Sequence, residues 1–178
     1  MPPAEDIDKT KITLVLDLDE TLVHSSFVAV PNPDFTFSIE LEENQICVYI
    51  CVRPGARDFL RRLKDYYELV LFTASTQPYA DRVVDEIDPE SCIKYRLYRE
   101  SCTNVGGVHV KDLSKLGRNL DRTIIIDNSS VAYLLQPYNA IAITSWYDDR
   151  HDRELFSIQD MLLKSYRVTT VYNLLSDL

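Results

Sequence analysis

The chain has 178 residues, 46% of them hydrophobic, and a formal net charge of −9. That is enough apolar material for one good-sized core and one domain over 1–178, while no run reaches the roughly 20 apolar residues that cross a bilayer. With no Lys/Arg block, the acidic balance argues against a sequence-independent grip on nucleic acid.

Met1 to Lys11 is polar and acidic and lacks a signal-peptide apolar stretch. The chain start can equally be the cut edge of a longer protein. The first strong element is Ile12-Thr13-Leu14-Val15-Leu16, a continuous apolar run that predicts a buried strand. It leads directly into Asp17-Leu18-Asp19-Glu20-Thr21. Ligands in open α/β sheets bind where strands end, and residues two apart in extended chain share a face. Asp17 and Asp19 can therefore face one cleft. Two acids in different surroundings can divide the parts of nucleophile and proton carrier.

Phe35 to Leu41 alternates apolar and polar residues, as does part of Ile46 to Val52, with Glu42-Glu43-Asn44-Gln45 between them. This predicts a β-hairpin over about 35–52 that interrupts the strand–helix rhythm. Pro54-Gly55 punctuates, and Ala56, Phe59, Leu60, Leu63 and Tyr67 fall at helical spacing, predicting a helix over about 55–66. Leu69-Val70-Leu71-Phe72 is a second buried run ending in Thr73-Ala74-Ser75, and Gln77 to Ile87 reads as a helix with Pro78 in its first turn. Gly106-Gly107 marks a tight turn before Lys111. Thr123-Ile124-Ile125-Ile126 is a third buried run, ending in Asp127-Asn128-Ser129. Segments 129–135, 152–165 and 169–176 read as helical and Ala140 to Thr144 as a strand. Three strand ends thus deliver an acid pair, a hydroxyl, and an acid with an amide to one sheet edge.

Cys47, Cys51, Cys92 and Cys102 form no paired CxxC pattern and read as free thiols. They assemble no zinc set with His24, His109 and His151, and none of these histidines is assigned a catalytic role.

The ordered segments Asp17 to Ser26, Leu71 to Ser75, Arg99 to Cys102, Val110 to Ser114 and Ile126 to Ser129 resemble the haloacid dehalogenase superfamily. More closely, they resemble its small C-terminal-domain phosphatases, relatives of enzymes that dephosphorylate the tail of RNA polymerase II. The resemblance runs from about residue 12 to the C-terminus. It implies an α/β fold with a Rossmann-like, mostly parallel sheet, helices on both faces and a small β-insertion after the first strand. It further implies a Mg²⁺-dependent protein serine/threonine phosphatase acting through an aspartyl-phosphate on phosphoserine in a Ser-Pro-type peptide.

On that resemblance Asp17 is the nucleophile and Asp19 the general acid and base. Thr73 and Lys111 hold the phosphoryl group. Mg²⁺ is held by Asp17, the Asp19 backbone carbonyl and Asn128, with Asp127 orienting a water or Lys111 from behind. Arg99 contacts the phosphate or peptide backbone, and Phe27, Ile39, Val48 and Tyr79 form an apolar substrate wall. Thr76 stands where close relatives are expected to carry a larger apolar residue. The implied partner is a phosphorylated protein, in a nuclear or cytoplasmic setting. A catalytically silent phosphopeptide-binding or import-type scaffold on the same fold stays open, although the acid pair is intact. A small-metabolite phosphatase fits less well, since the chain has no room for a large cap.

Overall fold

The computed structural model describes residues 1–41 and 44–176. The expected turn residues Glu42 and Glu43, and the last two residues of the chain, lie outside them. Strand β1 (Ile12–Leu16) opens the chain's main sheet, and β2 (Val23–Ser26) follows the acid pair. Strands β3 (Phe35–Leu41) and β4 (Asn44–Val52) form the expected hairpin. Helix α1 (Ala56–Leu63), β5 (Tyr67–Phe72), α2 (Gln77–Ile87) and β6 (Tyr95–Leu97) come next. A small hairpin, β7 (Thr103–Val105) and β8 (Val108–Val110), precedes β9 (Thr123–Asp127) and β10 (Ala140–Ala142). Helices α3 (Glu154–Ser165) and α4 (Tyr172–Leu175) close the described chain. No helix among the described residues is long and apolar enough to cross a membrane.

The central sheet is parallel in the order β10-β9-β1-β5-β6. β1, β5 and β9 are buried along their whole length, which is why they read as unbroken apolar runs rather than as alternation. Leu14, Leu16, Leu69, Leu71, Ile124 and Ile126 face one core, with Phe59, Val83 and Leu162 from α1, α2 and α3. Val15, Val70, Phe72 and Ile125 face the other way, toward Leu113, Leu116 and Tyr133. That second face is covered by the 3-10 turn Leu113–Leu116 and by coil. The helix expected over 129–135 is a run of turns with i→i+3 bonds, such as Ala132 to Ser129 and Leu134 to Val131. Val131, Leu134 and Leu135 are exposed there, so no apolar stripe is buried to sustain a helix.

The insertion is larger than a hairpin. β2 joins it to give a three-stranded antiparallel sheet in the order β2-β4-β3. Its inward face decides the fate of two expected cleft residues. Phe37 pairs with Val48 and Ile39 with Ile46, so Val48 and Ile39 share that face. Val48 lies on the central strand and is wholly buried. Ile39 lies on the edge strand, nearer the hairpin tip, and reaches the cleft.

Candidate active site

An open cleft of about 700 Å³ lies at the C-terminal ends of β1, β5 and β9, lined by Asp17, Asp19, Thr73, Lys111, Asp127 and Asn128. Phe27, Ile39, Tyr79 and Arg99 also line it. Val48 does not: it belongs to the core, and its expected place in the substrate wall is corrected accordingly.

Asp17 is fixed through both carboxylate oxygens. Lys111 Nζ donates to Oδ1 at 2.5 Å, and the buried Thr21 hydroxyl donates to Oδ2 at 2.8 Å. Each oxygen retains a lone pair. Lys111 also donates to Asp127 Oδ2 at 2.6 Å, while Ser129 N–H caps Asp127 Oδ1 at 2.8 Å. Burial opposes the charge on Lys111, but the Asp17 and Asp127 carboxylates outweigh it and hold the ammonium above its ordinary range. Burial, reinforced by the Asp17 charge, pushes the Asp127 carboxyl up.

Asp19 sits in different surroundings. Its Oδ1 accepts from the Tyr79 hydroxyl at 2.6 Å and its Oδ2 from the Ser75 hydroxyl at 2.7 Å. Burial raises its pKa against those two hydrogen bonds. A carboxyl displaced upward beside one bound to an ammonium is the division of labour that acid–base chemistry needs. The residue after it, Glu20, has φ +59°, a left-handed conformation that costs a non-glycine residue on the order of 1–3 kcal/mol. It is held by Trp146 N–H on its carbonyl at 2.8 Å and by His24 Nδ1 on its carboxylate at 3.0 Å. This turn carries the chain from β1 into β2 and leaves both aspartates on the cleft.

Thr73 is buried at the end of β5, where its hydroxyl oxygen accepts from Ser75 N–H at 3.0 Å. Its own proton remains available to a ligand. Arg99 is anchored through Nε to the Ala74 carbonyl at 2.6 Å, which leaves its terminal nitrogens for an anion. Thr76 lines the cleft as the N-cap of α2 and makes no side-chain capping bond.

The donor set suits a hard divalent cation. Among the described residues, no cluster of three His, Cys, Asp or Glu side chains is arranged to hold a metal, and all four cysteines are free. Mg²⁺ needs no such cage, since it binds through one or two carboxylates and keeps several waters. Asp17 supplies a carboxylate and Asn128 an amide oxygen. No hydrogen bond among the described residues ends on the Asp19 carbonyl oxygen.

The sequence brought forward Asp17, Asp19, Thr73, Arg99, Lys111, Asp127 and Asn128, which the fold gathers on one cleft, but it missed three supporting roles. Thr21 lies inside the acid motif, yet only folding turns its hydroxyl onto Asp17. Tyr79 is more than apolar wall: its ring packs near Phe37, centroids 6.2 Å apart, while its hydroxyl reaches Asp19. Ser75 closes the Thr73-Ala74-Ser75 segment and does the same.

A family model described as NLI interacting factor-like phosphatase matches residues 12–172. The chain belongs to this family. It is 55% identical over 150 residues to a probable C-terminal domain small phosphatase of Dictyostelium discoideum, covering 84% of this chain and 49% of that protein. It is 45% identical to the human carboxy-terminal domain RNA polymerase II polypeptide A small phosphatase 1, covering 98% of this chain and 67% of that one. The chain thus spans about half to two thirds of the length of these relatives. Among solved structures, fission yeast Fcp1, an RNA polymerase II CTD phosphatase bound to beryllium fluoride, superposes with a TM-score of 0.62. At 19% identity, covering 95% of this chain and 54% of that one, the likeness shows the shared fold.

Proposed function

We propose that this chain is a Mg²⁺-assisted protein serine/threonine phosphatase domain that works through an aspartyl-phosphate on Asp17. The observation that carries the reading is the pairing of Asp17, held between Lys111 and Thr21, with Asp19, held by Tyr79 and Ser75, in one open cleft.

Mg²⁺, held by Asp17, the Asp19 carbonyl and Asn128, would supply charge neutralisation of the phosphate oxygens. The chain's own groups do the rest. The free lone pair of an Asp17 oxygen attacks phosphorus in line, and the bond to the serine oxygen breaks. Asp19 gives its proton to that departing oxygen. It then takes a proton from the water that attacks the aspartyl-phosphate, so that phosphate leaves and Asp17 is regenerated. Such acid–base assistance is typically worth about 10²–10⁴-fold. Lys111 and the Thr73 hydroxyl hold the transferring oxygens, Asp127 positions Lys111, and Arg99 offers a planar fork to the phosphate or the peptide.

An uncapped cleft suits a macromolecular substrate, and Phe27, Ile39 and the Tyr79 ring offer a wall for a proline or aliphatic side chain beside the phosphoserine. The names of the relatives make the RNA polymerase II C-terminal domain the leading substrate class, met in the nucleus or cytoplasm. The test is release of p-nitrophenol from its phosphate ester, with Mg²⁺ and with EDTA, for wild type and Asp17→Asn. Turnover should need the metal and fall by on the order of 10⁴-fold in the variant, whose fold the isosteric amide preserves. A folded wild type that binds phosphopeptide without turnover would instead make this a binding module.

A further inference from the structure

Asparagine offers a cation two nearly isosteric ends, and only one of them is a ligand. The carbonyl oxygen binds a hard cation, whereas the amino end repels it. As a ligand, Asn128 must therefore be held with its oxygen on the Asp17 side and its amino end partnered elsewhere. Asn128 Nδ2 donates to the Ser145 hydroxyl oxygen at 2.8 Å. This turns Oδ1 toward Thr21, 3.3 Å from its hydroxyl. Thr21 has a single hydroxyl proton, and its shorter bond, 2.8 Å, goes to Asp17. Asn128 Oδ1 is thus left weakly engaged on the Asp17 side. With the amide reversed, Nδ2 would face the Asp17 carboxylate and satisfy it in place of a cation.

Ser145 is held on both sides by contacts distant in sequence. Trp146 N–H donates to the Glu20 carbonyl at 2.8 Å, inside the loop that carries the acid pair. On the other side, Arg53 Nη1 donates to the Thr144 carbonyl at 3.0 Å and to the Thr21 carbonyl at 3.3 Å. Arg53 is almost wholly buried and is gripped by Asp152 and Glu154, each at 2.9 Å. One guanidinium therefore bridges the loop of Thr21, which bonds Asp17, and the loop of Ser145, which bonds Asn128.

We propose that Ser145 is a positioning residue for the cation: its hydroxyl bonds the far end of the Asn128 amide and so holds that side chain beside Asp17, with Nδ2 partnered when Oδ1 is the ligand. The proposal rests on the metal-assisted reading above. Its test needs no turnover. Mn²⁺ serves as a spectroscopic stand-in for Mg²⁺, with the free ion followed by its EPR signal and Mg²⁺ added as competitor. Ser145→Ala should bind both ions about 10-fold or more weakly, the scale on which groups behind a ligand act. Ser145→Thr, which keeps the hydroxyl, should stay near wild type. Melting in EDTA checks that each variant is folded.

A folded Ser145→Ala that binds Mn²⁺ as tightly as wild type overturns the proposal and leaves the metal reading intact. A Ser145→Thr that binds Mn²⁺ as weakly as Ser145→Ala also overturns it, because the hydroxyl would then not be the cause. A wild type that binds neither ion overturns the metal reading, and this proposal with it.

Discussion

Buried cation–carboxylate clusters lie toward opposite edges of the central sheet, and they differ in charge balance. Toward the N-terminal edge, Arg118 grips Glu68 with two parallel bonds of 2.8 and 2.7 Å, and the Thr13 hydroxyl adds a third at 2.8 Å. One guanidinium meets one carboxylate, and both are closed off from solvent. At the C-terminal edge a single ammonium, Lys111, serves both Asp17 and Asp127, with Asp19 beside them and a cleft in front. The first cluster is complete. The second has surplus negative charge directed at an opening, which favours a divalent cation and, through it, an anionic substrate on an acidic protein. Burial and ion pairing are common to the two clusters; the unbalanced charge is what separates them.

Three substitutions sharpen that contrast. Lys111→Met should have the largest effect, lowering kcat on p-nitrophenyl phosphate by about 10²–10³-fold, the scale of losing one donor to a developing anion. A loss below tenfold would remove Lys111 from the phosphoryl site. At the balanced cluster, Glu68→Leu strands Arg118 and should cost about 3 kcal/mol, lowering Tm by about 6–12 °C for a chain of this size. Its kcat/KM below the transition should match wild type, and a parallel fall in activity would show that the two ends are coupled. Phe27→Ala should have the smallest effect. The side chain is 63% exposed, so Tm should hold, while KM for a phosphoserine peptide rises by about fivefold, near 1 kcal/mol. Equal effects on the peptide and on p-nitrophenyl phosphate would take Phe27 out of the peptide wall.

Much of this was legible from sequence because it is local. β1, β5 and β9 are buried on both faces, so each announces itself as an apolar run, and the polar residues that follow must emerge at the sheet edge. Asp17, Asp19, Thr73, Asp127 and Asn128 all follow from that rule. Segment 129–135 misled because its apolar residues can be read at helical spacing, although the fold buries too few of them to sustain a helix. Val48 misled for a different reason. Alternation reveals which face of a strand a residue occupies, but not whether a neighbouring strand covers that face.

The sequence by itself therefore determined the three buried strands β1, β5 and β9, the polar groups placed at their ends and the family to which the chain belongs, since each is written in consecutive residues. The tertiary structure alone decided how those groups are held: Thr21 on Asp17, Ser75 and Tyr79 on Asp19, Ser145 on Asn128, and Arg53 between two loops. Apart from Thr21 on Asp17, these are contacts between residues 17 to 91 positions apart. Hydrogen-bond direction and burial at such separations depend on strand order and loop closure, which no local pattern encodes.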